Sequence, residues 1–232
     1  MKTLISKNIL LLFIILASIN QQLIAQNTPT LKYGQSQGNW NNTLKQDWFN
    51  LEPNKLLVET IEGINPGKAL DVATGEGRNV IYLAQKGWNV TGFDIDNKAL
   101  KSIQKRAKKM NLKITTVDSS RDNFDFGIYK WDLVVLCYVD VICGGCIAND
   151  DFIPTVAASI KKGGLVVYEM GHRDFYLENW ENPGSWGCTE EQLIQTFTRA
   201  GFEILRCEAV TELGDWGSNK PGKRLKFVAR KL

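Results

Sequence analysis

Ala69-Leu-Asp-Val-Ala-Thr-Gly-Glu-Gly-Arg-Asn-Val80 decides how the rest of this chain is read. Ala69, Leu70 and Val72 make an apolar strand with an acid, Asp71, inside it, and Gly75 and Gly77 then break the chain. Val80, Ile81, Leu83 and Ala84 follow on one face of a helix. Strand, glycine turn and helix N-terminus in that order gather unpaired backbone N–H groups into a cradle for a nucleotide-like ligand. A second acid, Asp94, ends the next apolar run, 17 residues after Gly77. A carboxylate roughly 20 residues on is placed to meet the hydroxyls of an adenosine ribose. The dinucleotide fingerprint G-x-G-x-x-G would need a third glycine where Val80 stands, which argues against nicotinamide chemistry.

Outward from the cradle, Asn54–Gly63 reads as a helix with Leu56, Leu57 and Ile61 inward, and Pro66-Gly67 turns into the first strand. Asn89–Asp94 is strand two. Leu100, Ile103, Ala107 and Met110 form the apolar stripe of the next helix, whose lysines and Arg106 make a solvated face. Lys113–Val117 is strand three, ending at Asp118-Ser119, and the almost wholly apolar Trp131–Val139 is strand four, as expected for a strand covered on both faces. Asp151–Lys162 reads as a helix stopped by Gly163-Gly164, and Leu165–Met170 is strand five. Thr189-Glu-Glu-Gln192 is a capping box opening a helix that Gly201 closes. Glu203–Val210 and Leu225–Leu232 are strands with no helix between them, so they pair most simply as antiparallel neighbours.

The 232 residues suit one globular domain, and 28 basic against 25 acidic residues give no case for a nucleic-acid partner. Residues 1–25 read as a secretory signal peptide: Lys2 and Lys7, the 11-residue apolar run Ile9–Ile19, then Asn20-Gln-Gln and a cleavage site after Ala25. The run is shorter than the roughly 20 residues a membrane span needs, although an uncleaved anchor stays the alternative. The expected product is exported, with no membrane contact after cleavage. Residues 26–53, with Tyr33, Trp40, Trp48 and Phe49, read as an arm or lid, and 54–232 as the globular domain.

With these elements placed, Asp71, Ala73, Gly75 and Gly77 resemble motif I, D-x-G-x-G-x-G, of class I S-adenosylmethionine-dependent methyltransferases, with Ala73 departing by one methyl group. The longer run Pro66–Ile95 is similar to the bacterial small-molecule type, the tellurite- and thiopurine-related groups. Trp131-Asp-Leu-Val-Val135 and Gly163-Gly-Leu-Val-Val167 resemble the family's fourth and fifth strands, and Asp215-Trp-Gly217 with Arg224–Arg230 its last strand and the approach to it. The resemblance implies an α/β, Rossmann-like class I methyltransferase sandwich, with a seven-stranded sheet and a C-terminal antiparallel strand pair. It implies S-adenosylmethionine as cofactor, held by Asp71, Ala73, Thr74, Gly75, Gly77, Asn79, Asp94, Ile95, Asp118 and Ser119, with Asp94 on the ribose and Asp118 at the adenine amino group. Asp94 capping the next helix and Asp118 opening a turn are the plainer readings of the same residues.

A small-molecule acceptor would sit beyond strands four and five, where Tyr138 and His172 are the catalytic candidates. Methyl transfer from a sulfonium asks the protein mainly for alignment and exclusion of water, and for a base only if the acceptor loses a proton. His172, the chain's one histidine, is the natural base; a ring bonded within its own loop is the alternative. Cys143-Gly-Gly-Cys146 reads as a disulfide in an exported protein, or as thiol capture of a soft ligand, and no metal site is expected. Two functions follow: an enzyme methylating a small molecule, or a non-catalytic exported module that binds a thiol-reactive or metalloid ligand through Cys143 and Cys146.

Overall fold

The computed structural model describes residues 51–139, 151–179, 181, 187–213 and 221–232, all in one compact unit. Six helices are described: α1 (Lys55–Ile61), α2 (Arg78–Gln85), α3 (Asn97–Lys109), α4 (Phe152–Ser159), α5 (Arg173–Asn179) and α6 (Glu190–Arg199). The strands are β1 (Lys68–Val72), β2 (Asn89–Asp94), β3 (Ile114–Asp118), β4 (Trp131–Cys137), β5 (Ile160–Gly171), β6 (Phe202–Leu213) and β7 (Pro221–Lys231). They form one seven-stranded sheet in the order β3-β2-β1-β4-β5-β7-β6. The strands from β1 to β5 pair in parallel and β7 runs antiparallel to both β5 and β6, which is the expected terminal strand pair.

Alternation along the strands divides the core between the two faces of the sheet. Ala69, Val90, Leu133, Val135, Val167 and Val228 meet Leu56 and Leu57 of α1, Val80 and Leu83 of α2, and Leu100 and Ile103 of α3. Leu70, Val134, Leu136, Val166, Tyr168 and Phe227 meet Val156 of α4 and Leu193 and Phe197 of α6. Because five parallel strands end together, Asp71, Asp94, Asp118, Tyr138 and His172 fall at one edge of the sheet. The antiparallel β7 brings its amino end there too, with Arg224 beside Gly171.

Several boundaries differ from the sequence reading, each for a local reason. Met110 is 44% exposed, because the helix ends at Lys109 and Ala99 joins the buried stripe instead. Strand four stops at Cys137, since Tyr138 takes a left-handed φ of 57°. The helix expected to reach Lys162 ends at Ser159: Tyr129 and Lys130 donate their N–H groups to the Ala158 and Ser159 carbonyls, and Ile160 pairs with Trp131. Helix α5 has no counterpart in the sequence reading. The Thr189 capping box is formed on both sides.

The leader expected over 1–25, the rings at 33, 40, 48 and 49, the Cys143/Cys146 pair and the 215–217 segment lie outside the described residues. Among the described residues, no helix is long and apolar enough to cross a membrane, and no group of three or more His, Cys, Asp or Glu is arranged to hold a metal.

Candidate active site

The glycine segment leaves β1 through three left-handed residues: Ala73 (φ 51°), Gly75 (φ 51°) and Gly77 (φ 78°). A side chain at Gly77 would come within 2.4 Å of Ile103, a core residue of α3, so the turn must be glycine for α2 and α3 to pack. At Gly75 the requirement is different: a Cβ there would meet nothing within 4 Å, so the space over this residue is open. Ala73 adopts the same conformation with its methyl exposed, at a cost of about 1–2 kcal/mol.

Beneath the turn lies a buried polar brace. Asp71 is 3% exposed and accepts a hydrogen bond from the Thr74 hydroxyl at 2.8 Å. Asn79, 5% exposed, also bonds to Asp71 and accepts the Asn54 N–H at 3.0 Å, tying the start of α1 to α2. Burial pushes the Asp71 carboxyl up to about 7, against the Thr74 and Asn79 hydrogen bonds and the Arg78 charge. Asp71, Thr74 and Asn79 therefore hold the cradle from below, and its open surface belongs to the backbone.

At the end of β2, Asp94 accepts the Gly75 N–H at 2.8 Å with one oxygen and the Asp96 N–H at 2.8 Å with the other. Burial holds its carboxyl above the ordinary aspartate range. Helix α3 is capped by Asp96, which accepts from Lys98 and Ala99, so Asp94 is not the helix cap. Asp94 and Asp118 are register partners on adjacent parallel strands. Asp118 is exposed and accepts from Asn97 Nδ2 at 2.6 Å, while the Ser119 N–H donates to the Asp94 carbonyl. Ile95, which follows Asp94 in the chain, is 60% exposed. Those groups fit an adenosyl ligand: carboxylates to accept from a diol and an exocyclic amine, and an apolar side chain for a base.

A second cluster occupies the ends of β4, β5 and β7. The Tyr138 hydroxyl donates to Glu169, which is 1% exposed, and accepts from Arg224 Nη1 at 3.2 Å. The guanidinium carbons of Arg78 and Arg224 lie 5.5 and 5.6 Å from the centre of the Tyr138 ring. Lys226, also buried, is paired with Glu212 at 2.8 Å. The sequence reading named Tyr138 here and missed Arg78, Glu169 and Arg224. Each carried a signal: Arg78 directly follows the second glycine, Glu169 is the one acid in an apolar strand, and Arg224 and Lys226 alternate along another.

His172 is placed differently. Its ring is 4% exposed, Nδ1 accepts the Asp174 N–H at 3.0 Å, and Nε2 lies 2.9 Å from Glu190 Oε2. An Nδ1 that accepts leaves the proton on Nε2, donated to Glu190. Both nitrogens are used inside the protein, linking α5 to the start of α6, so the ring as placed is the locally bonded histidine rather than a presented base.

The family model described as "Tellurite resistance protein TehB" matches residues 42–176. The chain is 30% identical over 147 residues to a probable S-adenosyl-L-methionine-dependent methyltransferase, TehB, of Haemophilus influenzae, covering 56% of this chain and 47% of that protein. It thus spans about half the length of that relative. It is 28% identical over 171 residues to an uncharacterized methyltransferase of Synechocystis, covering 66% of this chain and 74% of that one. Among solved structures, the crystal structure of TehB from Haemophilus influenzae superposes with a TM-score of 0.62 at 22% identity, over 76% of this chain and 61% of that chain. At that identity the likeness is one of fold.

Proposed function

We propose that this chain, which belongs to the TehB family of tellurite resistance proteins, transfers a methyl group from S-adenosylmethionine to a small-molecule acceptor. The observation that carries the reading is the Asp94 carboxylate bonded to the Gly75 N–H, beside Asp118 and the exposed Ile95. Backbone at Gly75 and Gly77 would take the amino-acid end of the cofactor. Asp94 would take the ribose hydroxyls, Asp118 and Ser119 the adenine edge, and Ile95 its face. When bound, the cofactor supplies an activated methyl on a sulfonium.

The protein's own part is then alignment. The brace of Asp71, Thr74 and Asn79 fixes the cradle, so little reorganisation is left for the moment of binding. Tyr138, anchored between Glu169 and Arg224 at the end of β4, is the side chain best placed to orient an acceptor. Its left-handed backbone is the kind of local strain that persists where surrounding contacts over-determine it, often at functional sites. His172 is not given the role of base in this reading.

Calorimetric titration of the full chain with S-adenosylmethionine tests the proposal. Saturable binding that falls about 10- to 100-fold in Asp94→Ala is expected, the loss associated with charge-assisted hydrogen bonds. No binding to the unaltered chain would remove the methyl-transfer reading.

A further inference from the structure

We propose that the edge of the sheet opposite the one carrying Asp94 and Tyr138 docks on an anionic lipid bilayer, with the tip Gly127-Ile-Tyr129 entering between the headgroups. The inference does not depend on the methyl-transfer reading. The amino ends of the five parallel strands gather at this edge, with the carboxyl end of β7 beside them. Its turns are rich in lysine: Lys68, Lys86, Lys109, Lys113 and Lys162 are all exposed. Of the acids there, Asp132 and Glu203 are already paired, with Lys161 at 2.8 Å and Arg230 at 3.2 Å, and Glu62 and Asp125 do not balance the lysines. The nearly even count over the whole chain, 28 basic against 25 acidic, hides this edge because Asp94, Asp96 and Asp118 lie at the other.

The tip is held out by anchors on both sides. Phe126, 3% exposed, packs its ring on Phe93, Phe124 and Phe152, and its carbonyl accepts from Trp131 Nε1 at 2.8 Å. Beyond the tip, the Tyr129 and Lys130 N–H groups donate to the Ala158 and Ser159 carbonyls at 3.0 and 2.7 Å. Between these anchors Ile128 is 74% and Tyr129 67% exposed, the tyrosine with a left-handed φ of 46° that is uncommon for a bulky residue. Single exposed apolar side chains are ordinary, but two adjacent ones on a pinned tip, at the edge where the lysines gather, call for a partner. Lysine is depleted in protein–protein interfaces, whereas on a bilayer it rests its stem on acyl carbon and its ammonium at the phosphates. An aliphatic and a phenolic side chain on one tip suit the same boundary, the isoleucine below the headgroups and the tyrosine hydroxyl at their level. Docking of this kind needs no spanning segment, and the expectation of no membrane contact after cleavage concerned residues 1–25.

Co-sedimentation of the full chain with vesicles tests the proposal, using phosphatidylcholine alone and phosphatidylcholine with about one third phosphatidylserine. Each variant is read against the unaltered chain, so that any contribution of the apolar run Ile9–Ile19 is common to all. The unaltered chain is expected to prefer the anionic vesicles by about 10-fold or more and to be released as salt rises. Lys109→Gln with Lys113→Gln and Lys162→Gln should weaken binding to those vesicles about 10-fold or more. Ile128→Ser should weaken it about 5-fold. Lys55→Gln with Lys98→Gln and Lys101→Gln removes the same charge at the starts of α1 and α3, and should change binding by less than about 2-fold. Urea unfolding checks that each variant is folded; if the Lys109, Lys113 and Lys162 variant is not, Ile128→Ser decides. No preference for anionic vesicles, an equal loss in the two lysine variants, or unchanged binding by Ile128→Ser overturns the proposal. Binding to a random-sequence DNA duplex without binding to vesicles also overturns it, and assigns the edge to nucleic acid.

Discussion

The two halves of the functional edge are built in opposite ways. On the β1–β2–β3 side the candidate surface is mostly backbone: three left-handed residues, open space over Gly75, and acids that end adjacent strands. On the β4–β5–β7 side it is side chains from distant parts of the chain, Arg78, Tyr138, Glu169 and Arg224, that meet only after folding. A backbone site must be written in consecutive residues, because each φ is set locally. A side-chain site needs only the right residue at each strand end, with no constraint on sequence separation. The first should thus be brittle to an added methyl, and the second tolerant of substitution but sensitive in what it binds.

The largest effect belongs to Gly77→Ala. A left-handed φ of 78° and a Cβ 2.4 Å from Ile103 combine conformational strain with overpacking of the α2–α3 contact. A loss of about 3 kcal/mol is expected in urea unfolding. A loss under about 1 kcal/mol would mean that the turn yields easily, and would erase the contrast between the two sides.

Next comes the brace. Asp71 has its folded pKa raised from 3.8 to about 7, so folding favours the neutral acid. Its contribution is complete below the unfolded value and is lost as pH rises through about 7. Between those limits it tilts stability downward with rising pH by about 1.4 kcal/mol per unit. Asp71→Asn should flatten that slope when unfolding free energies at mildly acidic and neutral pH are compared. An unchanged slope would show that the carboxyl is not neutral in the fold.

The smallest effect sharpens the picture at the one irregular position. Ala73→Gly relieves a left-handed alanine but adds chain entropy to the unfolded state, leaving a gain of about 0.5 kcal/mol in thermal unfolding. A loss of stability would mean that the exposed methyl makes contacts that outweigh its strain.

This division also explains what could be read before folding. Asp71, Gly75, Gly77 and Asp94 were legible because strand, turn and helix follow one another and each residue type has a local reason. The terminal antiparallel pair was legible because no helix separates its strands. Helix α5 escaped notice: seven residues, Arg173–Asn179, with one buried side chain, carry no periodic stripe. The acceptor-side cluster escaped because Glu169 and Arg224 belong to strands that become neighbours only through the β5–β7 pairing. His172 was legible as a position and not as a role, since Glu190, which takes its Nε2, lies 18 residues away.

The bond from Gly75 to Asp94 makes one carboxylate a latch as well as a contact. It stitches the turn to the neighbouring strand and holds Gly75 against the end of β2. On the proposed function, a diol reaching Asp94 would compete for an oxygen already in use, and part of its binding would be an exchange of partners. On that proposal, removing the carboxylate would slacken the loop as well as delete a contact, so the affinity lost would exceed what the contact alone is worth.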